Sequence, residues 1–192
     1  MAKLYFNYAA MNAGKSTTLL QASFNYRERG MDTIEFTAKI DDRVEAGVIA
    51  SRIGLRKEAH VFDGETDLFS IVETESAGLT AACVFLDEAQ FLTPLQVMQL
   101  TRIVDELDIP VICYGLRTDF MGDLFDGSAR LLAVADEIRE LKTICKCGRK
   151  ATMNLRIDSQ GNAVTSGKKI EIGGNDRYVP LCRKHFYQAF NS

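Results

Sequence analysis

With 192 residues, 46% of them hydrophobic, and a formal net charge of −3, the chain can bury one good-sized core and has room for a small appendage. The acidic balance excludes a nucleic-acid-binding surface spread over the whole molecule, while a local basic patch stays compatible with it. No apolar run reaches bilayer length and Met1 to Asn7 lacks a signal-peptide core, so the expectation is a cytoplasmic protein with no membrane partner.

An alternating apolar run, Leu4 to Tyr8, leads into Ala9-Ala10-Met11-Asn12-Ala13-Gly14-Lys15-Ser16-Thr17 and then a helical stretch from Ser16 to about Arg29. Strand, small-residue turn, Gly-Lys-Ser and helix is the order of a phosphate-binding loop. Small residues let successive backbone N–H groups face an anion, and the helix adds its positive end. Lys15 is expected at the β- and γ-phosphates and the Ser16 hydroxyl on Mg²⁺. The general pattern has glycine where this chain has Ala9, which still permits the turn if its φ is negative. The bland alternative is a helix cap whose Gly-Lys-Ser is coincidental.

Gly30 suits the end of that helix, and Asp32 to Thr37 reads as a strand, so a βαβ unit is in outline. From Lys39 to Leu55 the chain reads as one long polar loop, either a solvated connector or a site for Arg43. His60-Val61-Phe62 reads as a short strand with a structural histidine, and Asp67 to Glu73 as a helix with Leu68, Ile71 and Val72 on one face.

Ala81-Ala82-Cys83-Val84-Phe85-Leu86 followed by Asp87-Glu88-Ala89-Gln90-Phe91 is the pattern of a central parallel strand buried on both faces, with carboxylates at its C-terminal end. Open parallel sheets bind ligands at that end. A phosphate loop needs an acidic partner to hold the nucleotide's Mg²⁺, and Asp87 fits. Glu88 beside it is placed to accept a proton from a group attacking the γ-phosphate. The alternative, a solvated loop or cap before the helix at Thr93-Pro94, does not explain why both halves of one site occur in one chain.

A helix is expected from Pro94 to Leu107, a buried strand over Ile109 to Leu116 with Arg117-Thr118-Asp119-Phe120 leaving its end, a helix over Gly127 to Ala135 and a last strand at Glu137 to Lys142. Alternating helices and apolar strands specify an α/β fold, a parallel sheet covered on both faces. Cys83 and Cys113, inside apolar runs, are expected to be buried thiols.

The composition shifts after Leu141, giving units at 1–141 and 142–192. In the second, Cys145-Lys146-Cys147 and Cys182-Arg183-Lys184-His185 flank a Gly-, Asn- and Ser-rich middle. Three sulfur ligands and one imidazole satisfy a closed, structural tetrahedral Zn²⁺ site, and a segment this poor in apolar residues needs a staple. Free surface thiols are the alternative. Between the pairs, Gly173-Gly174 is either a place where backbone approaches a ligand or an ordinary hairpin turn.

Residues 10 to 17, Asp41-Asp42-Arg43, Phe85 to Phe91, Cys145 and Cys147, Ile172-Gly173-Gly174 through Tyr178, and Cys182-x-x-His185 together resemble the type II thymidine kinases, in order and over nearly the whole chain, most closely the bacterial members. The resemblance implies a RecA-like P-loop sheet with a zinc-ribbon lasso unit. It implies ATP and Mg²⁺ held by Ala9, Ala10, Met11, Asn12, Ala13, Gly14, Lys15 and Ser16 together with Asp87, Glu88, Ala89 and Gln90. Glu88 is then the base for the thymidine 5′-hydroxyl and Arg43 a phosphate contact. The thymidine site is a backbone grip around Ile172 and Gly173, apolar walls from Met11, Phe91, Leu116 and Phe120, and Tyr178 closing beside the sugar. A homotetramer and feedback inhibition by thymidine triphosphate are further implications, and no nucleic-acid partner is expected. The rival readings are a nucleic-acid-dependent ATPase with a zinc ribbon, for which the chain is too short to hold a second motor domain, and a nucleotide-sensing module without turnover, against which Glu88 speaks.

Overall fold

Apolar side chains fill both faces of the strand Ala81–Leu86, and that places it inside a sheet rather than at its edge. The computed structural model describes residues 1–41, 45–78, 81–171, 173 and 176–191; the expected site residues Arg43 and Ile172 lie outside them. In chain order the elements are β1 (Leu4–Ala9), α1 (Lys15–Glu28), β2 (Asp32–Ala38), β3 (Val48–Ala50), β4 (Arg56–Glu58), β5 (His60–Phe62), α2 (Leu68–Ser76), β6 (Ala81–Leu86), a 3₁₀ turn (Ala89–Phe91), α3 (Pro94–Leu107), β7 (Val111–Leu116), α4 (Asp126–Val134), β8 (Glu137–Glu140), β9 (Thr143–Ile144), β10 (Lys150–Ala151), β11 (Met153–Arg156), β12 (Tyr178–Leu181) and α5 (Arg183–Phe190). No described helix is long and apolar enough to cross a membrane.

Six strands form one parallel sheet in the order β5-β2-β6-β7-β1-β8. On one face Leu4, Phe6, Phe36, Val84 and Leu86 pack against Leu68 and Val72 of α2, Val97, Leu100 and Ile103 of α3, and Leu131 of α4. On the other, Cys83, Phe85 and Tyr114 meet Leu19 and Leu20 of α1 and Ile49 of β3. The α/β sheet clad on both faces is thus as the alternation of elements requires. Burial pushes the Cys83 thiol up to about 12, as expected of a small hydrophobe in a core, and raises that of Cys113 too.

Element boundaries agree with the pattern to within two residues, except that α2 runs three residues past the expected Glu73, to Ser76. For α3 the agreement has a local cause. Thr93 accepts from Gln96 N at 3.2 Å while its own N–H donates to Gln96 Oε1 at 3.0 Å, closing a capping box ahead of Pro94.

One expectation is corrected. The stretch 39–55, read as a single loop, contains β3, whose antiparallel partner β4 follows at Arg56. Three-residue strands, one of them wholly charged, carry too few alternations to register as a strand pattern. The hairpin is anchored by side chains distant in sequence. Ile49 is buried against α1, and Lys57 Nζ donates to Ser23 Oγ (2.8 Å), Thr33 Oγ1 (2.9 Å) and the buried Glu35 carboxylate. Desolvation lowers the Lys57 pKa, opposed by its bond to Glu35.

A second, smaller core joins Cys145, Ala151, Met153, Leu155, Leu181, Cys182 and Phe186. It holds together the short ladders β9–β10 and β11–β12 with α5.

Candidate active site

The sheet is parallel, so the chain leaves β1, β6 and β7 along one edge, and the candidate groups gather there. After β1 the chain turns through Asn12 (φ 66°) and Gly14 (φ 76°), both left-handed, and Gly14 is the N-cap of α1. Only glycine adopts that conformation without cost at Gly14, while Asn tolerates it. Ala9 is the last residue of β1 and is not among the positive-φ residues, so the alanine is compatible with the turn. Lys15 opens α1 and is largely buried.

Across the edge, Ser16 Oγ donates to Asp87 Oδ2 at 2.6 Å, so the two groups expected to share a magnesium ion already touch. Burial and the neighbouring Glu88 charge push Asp87 up to about 6, with the Ser16 bond opposing. A buried carboxylate destabilised as an anion is one that a cation would relieve.

Glu88 is left-handed at φ 53°, ψ 37°, a conformation costly for a residue with a side chain and concentrated at functional sites. Its carboxylate accepts from Gln90 Nε2 at 2.5 Å, and Gln90 Oε1 accepts from Leu116 N at 2.9 Å. Gln90 therefore links the acidic turn after β6 to the end of β7. Gly115 makes that link possible, since a Cβ there would lie 2.9 Å from Gln90 Oε1 and 3.0 Å from Gln90 N.

A cleft of about 780 Å³ runs along this edge, in the upper part of the range for small-molecule sites. Its lining brings together Met11, Asn12, Gly14, Lys15 and Ser16 with Asp87, Glu88 and Gln90, and continues to Phe91, Leu116, Phe120, Gly173 and Tyr178. Most residues expected at the site thus share one cleft. Ala9, Ala10 and Ala89 are buried beneath the loops and do not line it, and neither does Ala13.

The cleft also contains residues that the sequence did not single out. Asn154 on β11 accepts from Met11 N at 2.8 Å, tying the phosphate loop to the second core. Phe125 stacks edge-on against Phe91, ring centroids 5.9 Å apart. The hairpin contributes Arg52 and Arg56, and Lys169 and Glu171 come from the segment before Gly173. An apolar pair, Leu124-Phe125, just ahead of α4 was the one available signal; a single Asn in a four-residue strand carries none.

In the second core, a tight turn at Cys145, where Gly148 N donates to Cys145 O at 2.8 Å and Gly148 takes φ 77°, faces the N-terminus of α5, whose N-cap is Cys182. The ligand atoms of Cys145, Cys147, Cys182 and His185 all lie within 4.8 Å of one another. Cys147 and Cys182 sulfurs are 3.9 Å apart, and His185 Nδ1 is 3.3 Å from Cys145 Sγ and 3.5 Å from that of Cys182. These separations suit four ligands around one tetrahedral ion. Burial opposes ionisation of Cys145, yet backbone N–H groups of Cys182 and Cys147 and the His185 ring bring its thiol down to about 6. The Cys-x-Cys spacing is accommodated by the left-handed glycine that follows.

Among known families, the model described as thymidine kinase matches residues 2–186. The chain is 61% identical to a protein named thymidine kinase from Ruegeria pomeroyi, over 98% of this chain and 96% of that one. It is 61% identical to the one from Agrobacterium fabrum over 100% and 99% of the two chains, and 58% identical to the one from Vibrio cholerae over 98% of each.

Proposed function

Because this chain belongs to the thymidine kinase family, we propose that its cleft transfers the γ-phosphoryl group of ATP to the 5′-hydroxyl of thymidine, giving thymidine monophosphate and ADP. The observation that carries the reading is Glu88. It is a buried carboxylate in a strained conformation, fixed by Gln90 and set beside the Ser16–Asp87 pair in a cleft of about 780 Å³.

In this reading the loop from Ala9 to Ser16 receives the triphosphate, with backbone N–H groups and the α1 terminus facing it and Lys15 at the β- and γ-phosphates. Ser16 and Asp87 hold Mg²⁺, which neutralises phosphate charge when bound. Glu88 takes the 5′-hydroxyl proton as that oxygen bonds to the γ-phosphorus, and the bond from the γ-phosphorus to the β-phosphate oxygen breaks. Gln90 keeps the Glu88 carboxylate aimed, and Arg43 adds positive charge at the phosphates. Met11, Phe91, Leu116 and Phe120 wall the thymine, Ile172 and Gly173 offer backbone groups to its amide edge, and Tyr178 lies beside the sugar; a neutral base needs no charged partner. Cys145, Cys147, Cys182 and His185 hold a structural zinc ion.

The family resemblance also supports a homotetramer, a cytoplasmic location, restraint by thymidine triphosphate and a division of the chain near residue 141. The deciding experiment is incubation with ATP, Mg²⁺ and thymidine, read as formation of thymidine monophosphate. ATP consumption only on addition of DNA, with no nucleotide product, would instead indicate a nucleic-acid-dependent ATPase.

A further inference from the structure

Arg156 is the most deeply buried cation of the second core, with a side chain only 4% exposed, and no step of the proposed reaction uses it. A buried guanidinium survives only where its donors are taken up. Here Nη1 and Nη2 are taken up by residues 168–171, which together with 176–178 are called the strap below. Nη1 donates to Glu171 Oε2 at 3.0 Å and Nη2 to the carbonyl of Lys168 at 2.5 Å.

The flat face of the same group has a different job. Arg156 Cζ lies 3.5 Å from the centroid of the Phe120 ring and 5.9 Å from that of Tyr178, its cross-strand partner on β12. Both rings line the cleft. The strap is further fastened by Tyr178 Oη donating to Glu171 O at 2.7 Å, by the Glu171–Arg177 ion pair and by Lys169 Nζ donating to Leu124 O at 3.0 Å. Among the described residues, the two buried side-chain polar atoms without a partner are Arg156 Nε and Asp119 Oδ2.

We propose that Arg156 is a positioning residue for nucleoside binding: by stacking on Phe120 and Tyr178 while bonding to Lys168 and Glu171, it makes the aromatic walls and the strap a single unit that assembles or loosens together. The inference rests on the reading of this cleft end as the thymidine site. Lysine at this position keeps the charge but loses the planar, two-edged donor and the face that stacks.

Arg156→Lys is expected to raise KM for thymidine about tenfold, the loss of roughly one charge-assisted hydrogen bond. Both kcat and KM for ATP stay within about twofold, since the phosphate loop and Glu88 are untouched. In the absence of nucleoside, trypsin is expected to cut after Lys168 and Lys169 faster in the variant than in the wild type. Glu171→Gln alters a half-exposed side chain and does not endanger the fold. It is expected to show the same split at about threefold, with one charged partner lost and the Phe120 stack intact. The proposal is overturned if thymidine KM is unchanged in both variants, or if kcat and both KM values move together in both, which is general loosening. A wild type that makes no thymidine monophosphate would defeat the reading of the cleft alone. The trypsin comparison would still decide the joint, unchanged protection overturning it and lost protection supporting it.

Discussion

The two ends of the cleft are built by different means. The phosphate end hangs on parallel strands, with Lys15, Asp87 and Glu88 buried and the backbone already in costly left-handed conformations at Asn12 and Glu88. The other end is made from short ladders, side-chain bonds to a strap and a Cys/His cluster, with a core of its own. A site that must place charges within tenths of an ångström gains from rigid strand ends. A site that must open for a nucleoside and close over it gains from a strap held by a few separable contacts. On the proposed reading, the phosphate end carries rate and the strap end carries recognition.

Removing the base gives the largest break in that division. Glu88→Gln keeps the size and the Gln90 contact distance while removing proton acceptance, so kcat is expected to fall by about 10²–10⁴. ATP binding, followed by titration, should change little. A turnover within tenfold of the wild type would remove Glu88 as base and take rate away from the phosphate end.

Loss of the metal separates the ends physically. Elemental analysis is expected to find one zinc per chain, and Cys182→Ser to abolish it. The cluster unites a turn at Cys145 with the start of α5, so the small core should melt, with several kcal/mol of local stability lost. Thymidine binding then disappears while the six-stranded sheet and ATP binding persist, as circular dichroism and titration would report. Loss of both bindings together would mean that the ends are not separable; Asn154, which accepts from Met11 N across them, would be the reason.

How much of this was legible in the sequence divides along the same line. The phosphate loop, β6 with Asp87 and Glu88, and the helix start at Thr93-Pro94 are local patterns, because the physics that makes them acts between residues near in sequence. The six-stranded sheet followed from alternation of apolar strands and helices. The hairpin β3–β4 was missed because Ile49 and Lys57 are fixed by α1 and β2, not by neighbours. Asn154, Phe125 and Arg156 escaped for a related reason: each acts through a partner tens of residues away, and only the apolar pair Leu124-Phe125 gives a local signal. The Cys/His cluster was readable because metal chemistry restricts ligand types even where the fold is weakly patterned.

A backbone test sharpens the rigid end more gently. Gly115→Ala would set a methyl group 2.9 Å from Gln90 Oε1, against a side chain already bonded at both ends. Overpacking of this kind costs about 1–3 kcal/mol. Denaturant unfolding should show it, and kcat should fall more than KM for thymidine rises, because the displaced group is the one that aims Glu88. An equal rise in thymidine KM would show the aromatic walls feeling the shift as well.

A pH slope in the ligand-free enzyme tests the same end without touching the strap. Asp87 is raised from 3.8 to about 6 by burial and by Glu88, so folding disfavours its ionised form. Between those two pH values the unfolded chain has released the proton that the folded chain keeps. It binds fewer protons, and stability falls as pH rises, by at most about 1.4 kcal/mol for each pH unit of the window. Asp87→Asn should flatten the slope across that window in unfolding measurements. Magnesium nucleotide favours the carboxylate form, so its stabilising effect should grow over the same interval and vanish in the variant. An unchanged slope in Asp87→Asn would locate the strain elsewhere and leave Ser16–Asp87 as an ordinary buried hydrogen bond rather than a cradle prepared for a cation.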